Sequence, residues 1–214
     1  MGWHDGQRAI NAIAAEQWGL VTTRQAFGAG VNRMHLSRLA AAGLAERLSQ
    51  GVYRVAGAPQ PEHQEILVAW LALHEFGQPR TSLVVGGVAA AQLHGIGQFW
   101  MREIDLLAPT RRRSGRDGVR IRATRLGERE VVTVHGVPTL APSHTISDLL
   151  VLGESPDTVA DAAVDALELG ITTTAAIREA LLDQPVADAA REMFTDALEQ
   201  RIATDQTSLR SPRD

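Results

Sequence analysis

The side chains best placed to do chemistry lie between positions 84 and 105. Gly86 and Gly87 follow a short β-branched run, and Glu103 and Asp105 stand two positions apart in a segment with strand character. Side chains at i and i+2 share one face of a strand, so this carboxylate pair could hold a magnesium ion. Catalysis usually requires a third acid on a later strand. No acid lies inside the later predicted strands, and Glu130 falls at the edge of one.

The glycine pair and the carboxylate pair together resemble the opening of nucleotidyltransferases of the polymerase-β superfamily. That resemblance implies magnesium-dependent nucleotidyl transfer. Two departures weigh against it, because Glu103 replaces the usual first Asp and the third acid is missing. We therefore expect a packed helix–strand unit without catalysis. A magnesium-dependent nucleotidyltransferase with an attached DNA-binding domain remains the alternative function.

Other catalytic or metal chemistry has less support in the sequence. The chain has no cysteine, which excludes thiol nucleophiles, disulfides and cysteine-ligated metals. Ser143, His144 and Asp148 lie within two turns of one predicted helix, where they cannot form a relay with an oxyanion hole. The seven histidines show no metal-ligand spacing. We expect no catalytic residue, no metal and no cofactor.

The distribution of charge favours nucleic acid as a partner of the N-terminal part. All 21 basic residues are arginine, and the formal charge is +3 over residues 1–60, +2 over 61–145 and −9 over 146–214. A basic front and an acidic back are typical of a chain that contacts nucleic acid at one end. Acidic helices that simply solvate their outer faces would give the same gradient.

Residues 6–55 have the element order of a winged helix-turn-helix. We predict an amphipathic helix over 6–18, a short helix capped by Thr22 or Thr23, and a third helix from the N-cap Asn32 to about Ala42. Glycines at 28 and 30 mark the turn between the last two helices. The dipeptide Gln50-Gly51 predicts the turn of a two-stranded wing.

The third helix should turn a polar, basic face to DNA. Leu36 and Leu39 would pack inward, which leaves Arg38 on the opposite face. Arginine binds guanine bidentately, and wing side chains suit phosphates or the minor groove. A plain three-helix domain for protein contact is the competing interpretation. The predicted DNA-binding residues are Thr22, Thr23, Arg24, Asn32, Arg33, Met34, His35, Ser37, Arg38, Arg47, Gln50 and Arg54.

A second basic cluster lies further along the chain. Residues 111–125 hold seven arginines and one acid, Asp117. A solvated loop, a second phosphate-contacting surface and docking against the chain's own acidic helices are all compatible with this run. The possible phosphate-contacting patch consists of Arg111, Arg112, Arg113, Arg116, Arg120 and Arg122.

The whole pattern predicts an α+β, mostly helical protein. Residues 57–61 read as a linker, which divides the chain into a DNA-binding domain (1–57) and a C-terminal α/β domain (58–202) with a small sheet and a helical end. Strands are expected at 102–108, 118–124 and 130–139, and residues 203–214 should form a flexible tail. The chain has neither a membrane-length apolar run nor a signal peptide, so we expect a cytoplasmic protein.

Several short motifs resemble the AbiEi family, antitoxins of type IV toxin–antitoxin systems linked to abortive phage infection. The winged part carries GLVTTRQA at 19–26, LSRL at 36–39 and GVYR at 51–54. The later motif PSHTISDL at 142–149 is similar to the family's Pro-x-Arg-Thr-x-x-Asp-Leu element, with His144 in place of arginine. The resemblance covers about residues 7–170.

This resemblance implies two activities and no catalysis. The N-terminal winged domain would bind inverted repeats in duplex operator DNA and repress its own operon. The C-terminal domain would counteract a cognate toxin, itself a nucleotidyltransferase, and direct contact with that toxin is left open. No membrane partner is expected.

Overall fold

The computed structural model describes residues 3–75, 77–127 and 130–210. The chain forms two compact units, Met1–Leu83 and Val84–Asp214. About half of the chain is helical, the sheets are small and the C-terminal part is helical, which confirms the predicted α+β class at that level. The division falls after Leu83 rather than after residue 57, because the helix that follows the predicted linker packs on the strands of the first unit.

In its described residues the first unit combines four α-helices and a 3-10 turn, Arg80–Ser82, with a small antiparallel sheet. Its elements are α1 (Trp3–Ala15), β1 (Leu20–Thr22), α2 (Thr23–Gly28), α3 (Arg33–Ala41), β2 (Ala45–Ser49), β3 (Val52–Val55) and α4 (Gln64–Leu73). The predicted hairpin is present as β2 and β3. Strand β1 pairs with the other side of β3, so the sheet has three strands in the order β1-β3-β2 rather than the predicted two.

Side-chain caps fix where α2 and α3 begin. Thr22 and Gln25 form a capping box, in which the Thr22 hydroxyl accepts the Gln25 N–H at 3.1 Å and the Gln25 side-chain oxygen accepts the Thr22 N–H at 3.0 Å. The Asn32 side chain accepts the N–H of His35 at 2.8 Å. Both caps satisfy helix donors that would otherwise lack partners. The core beneath these helices contains Ile10, Val21, Ala26, Leu36, Leu39 and Tyr53.

As far as the structure describes it, the second unit places a mixed five-stranded sheet beside five helices. Its elements are β4 (Val84–Gly86), α5 (Gly87–His94), β5 (Ile104–Ala108), β6 (Val119–Ala123), β7 (Val131–Val134), β8 (Val137–Leu140), α6 (Pro142–Val151), α7 (Pro156–Glu168), α8 (Thr174–Asp183) and α9 (Asp188–Arg210). The strand order is β6-β5-β4-β8-β7. Strands β5 and β6 are parallel, as are β4 and β8, and the other two pairings are antiparallel.

Two sequence expectations change in this unit. The strand expected over 130–139 is a hairpin, because His135 and Gly136 both adopt positive φ and reverse the chain between β7 and β8. The tail expected from residue 203 is helical as far as Arg210, since it continues α9, and residues 211–214 lie outside the described residues. No helix in the described ranges is long and apolar enough to cross a membrane.

Candidate functional site

Helix α3 separates an apolar face from a polar one, as its sequence predicts. Leu36 and Leu39 are completely buried, whereas Ser37 and Arg38 are exposed. Met34 is also exposed, at 61% of its surface. The exposed face therefore offers a hydroxyl, a guanidinium and a thioether, which are groups that can contact base edges, phosphates or a thymine methyl.

Two residues near the start of α3, Arg33 and His35, are not counted in this exposed face. The ring of His35 lies against α1, where a Cβ added to Gly6 would come within 2.9 Å of it. His35 therefore belongs to the packing between α1 and α3. Arg33 opens α3, and its side chain lies outside the described residues.

Helix α2 contributes one exposed cation and one exposed ring. Thr22 is buried and engaged in the capping box, so its hydroxyl is used within the fold. Thr23 is half-buried, and its N–H donates to the carbonyl of Gly51 in the hairpin turn at 2.9 Å. Arg24 is exposed. Phe27, which the sequence places among the apolar residues of this helix, is 76% exposed.

In the wing, Arg47 and Gln50 are exposed, whereas Arg54 binds within the fold. Arg47 and Gln50 are exposed on β2 and at the turn. The Arg54 guanidinium donates to Glu46 Oε2 at 2.5 Å and to Gln64 Oε1 at 3.0 Å, and only 20% of its side chain is exposed. Arg54 thus ties the hairpin to α4, a role different from the predicted phosphate contact.

Among the described residues of the first unit, three exposed guanidiniums remain available to an outside partner. Within the part of the chain that the structure describes, Arg24, Arg38 and Arg47 have no carboxylate within 4 Å. They lie on α2, α3 and the wing. They could approach an anionic partner without giving up an internal ion pair.

The glycine and carboxylate pairs of the second unit meet a set of arginines. Register places Asp105 on β5 opposite Arg120 on β6. Asp105 accepts two hydrogen bonds from Arg120, at 2.7 Å from Nε and 2.6 Å from Nη2, and a third from Arg122 Nε at 3.2 Å. Glu103 pairs with Arg120 Nη1 at 2.8 Å.

Asp148 on α6 completes this arrangement. Its carboxylate accepts Arg122 Nη1 and Nη2 at 2.9 and 2.5 Å, and it also accepts the N–H of Gly87 at 2.9 Å. Asp105 and Asp148 are only 4% and 6% exposed. We refer to Asp105, Arg120, Arg122 and Asp148 as the charge cluster.

Mutual pairing raises the pKa of both guanidiniums of the charge cluster. The hydrogen bond to Asp105 is the main cause that raises the pKa of Arg120. Burial opposes the charge of Arg122, but hydrogen bonds and attraction from Asp148 and Asp105 outweigh it and raise its pKa. The cluster is therefore a compensated network of two anions and two cations.

This geometry disfavours the magnesium site that Glu103 and Asp105 suggest. Both oxygens of Asp105 already accept guanidinium N–H groups. The N–H of Gly87 at the amino end of α5 donates to the Asp148 carboxylate. A metal or a phosphate would have to displace buried ion pairs, which is energetically costly.

The predicted basic patch divides into two groups. Arg120 and Arg122 point into the charge cluster, so they are engaged within the unit. The remaining arginines lie in the loop between β5 and β6, where Arg111 and Arg113 are exposed, and Arg112 and Arg116 are half-buried and have partners.

Two histidines near these residues are also held within the fold. The Nε2 of His94 lies 2.7 Å from the Leu140 carbonyl and donates to it, because a carbonyl can only accept. Burial lowers the pKa of His94, and this backbone hydrogen bond opposes the shift. His144, at the variant position of the PSHTISDL motif, lies 3.7 Å from Glu130 rather than in a relay with Asp148.

Comparison with protein families gives a match within the first unit. Residues 8–56 match the family described as "Transcriptional regulator, AbiEi antitoxin". The match covers these 49 of the 214 residues of the chain. The predicted resemblance is confirmed over these residues, which include α2, α3 and the hairpin.

The chain is also similar in fold to a solved structure. The crystal structure of the RV2827C protein from Mycobacterium tuberculosis matches 92% of this chain and 76% of its own, with a TM-score of 0.54 and 16% sequence identity. At this identity the likeness shows a shared fold alone. Comparison with curated proteins gave no match.

Sequence reasoning missed the joint role of Asp148 and Gly87. The sequence did contain an indication of this role, because Asp148 lies between the apolar residues Ile146 and Leu149 of one helix, where the neighbouring side chains are buried. A carboxylate in such a position needs a partner. Its partner, Arg122, could not be chosen by spacing, since the two residues come from different elements 26 positions apart.

Proposed function

We propose that this chain is a DNA-binding antitoxin that represses its own operon. In this proposal α2 and α3 of the family-matched segment form the helix-turn-helix, and β2 and β3 form its wing. The observation that carries the proposal is the exposed polar face of α3 within the family-matched segment. Helices of this type enter the major groove, with the preceding helix across the backbone.

The described contacts divide the proposed DNA-binding residues by role. Arg38 and Ser37 lie on the outer face of α3 and would read base edges, with Met34 available to a thymine methyl. Arg24 and Arg47 would contact phosphates from α2 and the wing, which positions the domain without reading sequence. The operator would consist of inverted repeats, so two copies of the domain would bind two half-sites about one helical turn apart.

The second unit would counteract a cognate nucleotidyltransferase toxin without catalysis of its own. The charge cluster supports the non-enzymatic part, because its acids are engaged by arginines. The acidic helices after residue 146 support a basic protein partner, since opposite charge steers encounter. Both activities would take place in the cytoplasm.

Two assays on the full chain test these activities separately. Footprinting on the duplex upstream of this gene should reveal two protected half-sites, and Arg38→Ala should remove the protection. Co-expression with a nucleotidyltransferase encoded beside the gene should restore growth for both the wild type and Arg38→Ala. A lack of protection contradicts the repressor role, and a lack of rescue by the wild type contradicts the antitoxin role.

A further inference from the structure

A single tryptophan in the second unit is almost wholly exposed. Trp100 lies in the segment between α5 and β5, and 86% of its surface is accessible. Its neighbours Phe99 and Met101 are partly buried and pack against the helical core of the unit. The chain therefore turns both adjacent side chains inward and Trp100 outward.

Specific contacts hold this segment in place. Ile96 is 1% exposed, and the N–H of Gly97 donates to the Asp165 carboxylate of α7 at 2.7 Å. Gly97 has φ +65°, and a Cβ there would lie 2.3 Å from the ring of Phe99. The glycine thus permits the close approach of Phe99, which in turn fixes the outward direction of Trp100.

The chain segments next to Trp100 carry exposed arginines and one exposed acid, Asp117, which precedes Gly118. Arg102 is exposed two positions later, and its neighbour Glu103 does not offset it, because Glu103 is paired with Arg120. The arginine-rich loop ends beside this segment, since the Ile104 N–H donates to the Gly118 carbonyl at 2.8 Å. Arg111 and Arg113 are exposed in that loop.

The arginine loop is itself ordered by internal hydrogen bonds. The Ser114 hydroxyl donates to the carbonyl of Val119 at 2.6 Å, across the turn that leads into β6. The same hydroxyl oxygen accepts the N–H of Arg116 at 3.2 Å. The loop therefore carries its guanidiniums on a fixed support at the edge of the sheet, where β6 has a neighbour on one side only.

We propose that Trp100 and the exposed arginines of its own segment and of the adjoining loop bind single-stranded nucleic acid. An unpaired base would stack on the indole of Trp100, and Arg102, Arg111 and Arg113 would contact the phosphates on either side. An exposed ring among basic side chains is the combination that single-strand binding uses, because every base has a face that can stack. Paired bases keep their faces inside the duplex, so the indole favours an unpaired strand.

The test is a titration of the full chain with a fluorescein-labelled 12-nucleotide oligouridylate, followed by anisotropy. Trp100→Ala should weaken binding by about 5- to 150-fold, the range for loss of one base–aromatic stack. Trp100→Phe should retain most of the affinity but lose the quenching of tryptophan fluorescence by the oligonucleotide. Leu182→Ala, which alters another exposed apolar side chain of the same unit, should leave affinity unchanged.

Two further measurements separate this surface from the first unit. Arg113→Ala should reduce the dependence of log affinity on log salt by about 0.7, the value for one phosphate contact on a single strand. Arg38→Ala should leave oligouridylate binding unchanged, because Arg38 lies in the other unit.

Three outcomes would overturn the proposal. They are failure of the wild type to bind the oligonucleotide, equal affinity of Trp100→Ala and wild type, and an equal dependence on Trp100 when a duplex of the same length is used. Circular dichroism of Trp100→Ala shows whether the variant is folded, and Trp100→Phe provides the comparison if it is not.

Discussion

Substitution of Asp148 by asparagine should destabilise the second unit by several kcal/mol. Asparagine keeps the shape but removes the charge that Arg122 faces, and its amide N–H₂ replaces one of the accepting oxygens. Loss of one partner of a buried ion pair costs about 3–5 kcal/mol. Arg122 keeps Asp105 at 3.2 Å, and 22% of its side chain is exposed, so we expect a cost at or below the lower limit of that range, about 2–3 kcal/mol.

A surface ion pair in the same unit provides the matched control. Asp161 pairs with Arg201 at 2.5 Å, but their side chains are 60% and 28% exposed. Because exposed pairs contribute about 0–1 kcal/mol, Asp161→Asn should have little effect. The free energy of unfolding of the full chain is measured in urea by circular dichroism.

The combination with Arg122 tests whether the pair acts as a unit. Arg122→Gln and Asp148→Asn should together cost less than the sum of their separate costs, because each single variant already removes the ion pair between the two residues. If Asp148→Asn and Asp161→Asn agree within about 0.5 kcal/mol, the charge cluster does not stabilise the unit as argued.

Three further outcomes follow from the structure. Arg47→Ala should reduce the salt dependence of duplex binding by about one unit of log–log slope, whereas Arg54→Ala should leave that slope unchanged and lower stability, because Arg54 binds within the fold. Below about pH 6.5 His94 becomes protonated in the unfolded chain, whereas burial resists its protonation in the folded chain, so the free energy of unfolding should fall as the pH drops. In urea titrations at several pH values, His94→Gln should make this dependence on pH less steep by at most about 1.4 kcal/mol per pH unit. Gly87→Ala should lower the urea midpoint more than Gly170→Ala, since both have positive φ but only at Gly87 would a Cβ meet the charge cluster, at 3.0 Å.

Local signals were sufficient to predict which face of α3 is exposed. Asn32 caps α3, and the spacing of Leu36 and Leu39 determines which face is buried, so the outward position of Arg38 follows from helical periodicity alone. These features depend on residues within three or four positions of one another. They can therefore be predicted from the sequence without knowledge of any tertiary contact.

The roles of individual arginines depended on pairings that spacing does not reveal. Arg47 and Arg54 look equivalent in the wing sequence, but the hairpin register places Glu46 opposite Arg54 and engages it. The pairing of Glu46 with Arg54 could have been predicted by counting residues outward from the hairpin turn. The pairing of Arg120 with Asp105 could not, because a parallel strand pair joined by a ten-residue connection has no turn that fixes its register.

The most direct test of the central claim is a titration of the duplex upstream of this gene with wild type, Arg38→Ala and Arg178→Ala. Arg38 is exposed on α3, and Arg178 is an exposed arginine on α8 that serves as the control for loss of one positive charge. If α3 reads the operator, Arg38→Ala should weaken binding by about 1–3 kcal/mol and relax the preference for operator over unrelated duplex, while Arg178→Ala should do neither. Equal affinity and equal preference for all three proteins would contradict the assignment of α3 as the DNA-reading helix.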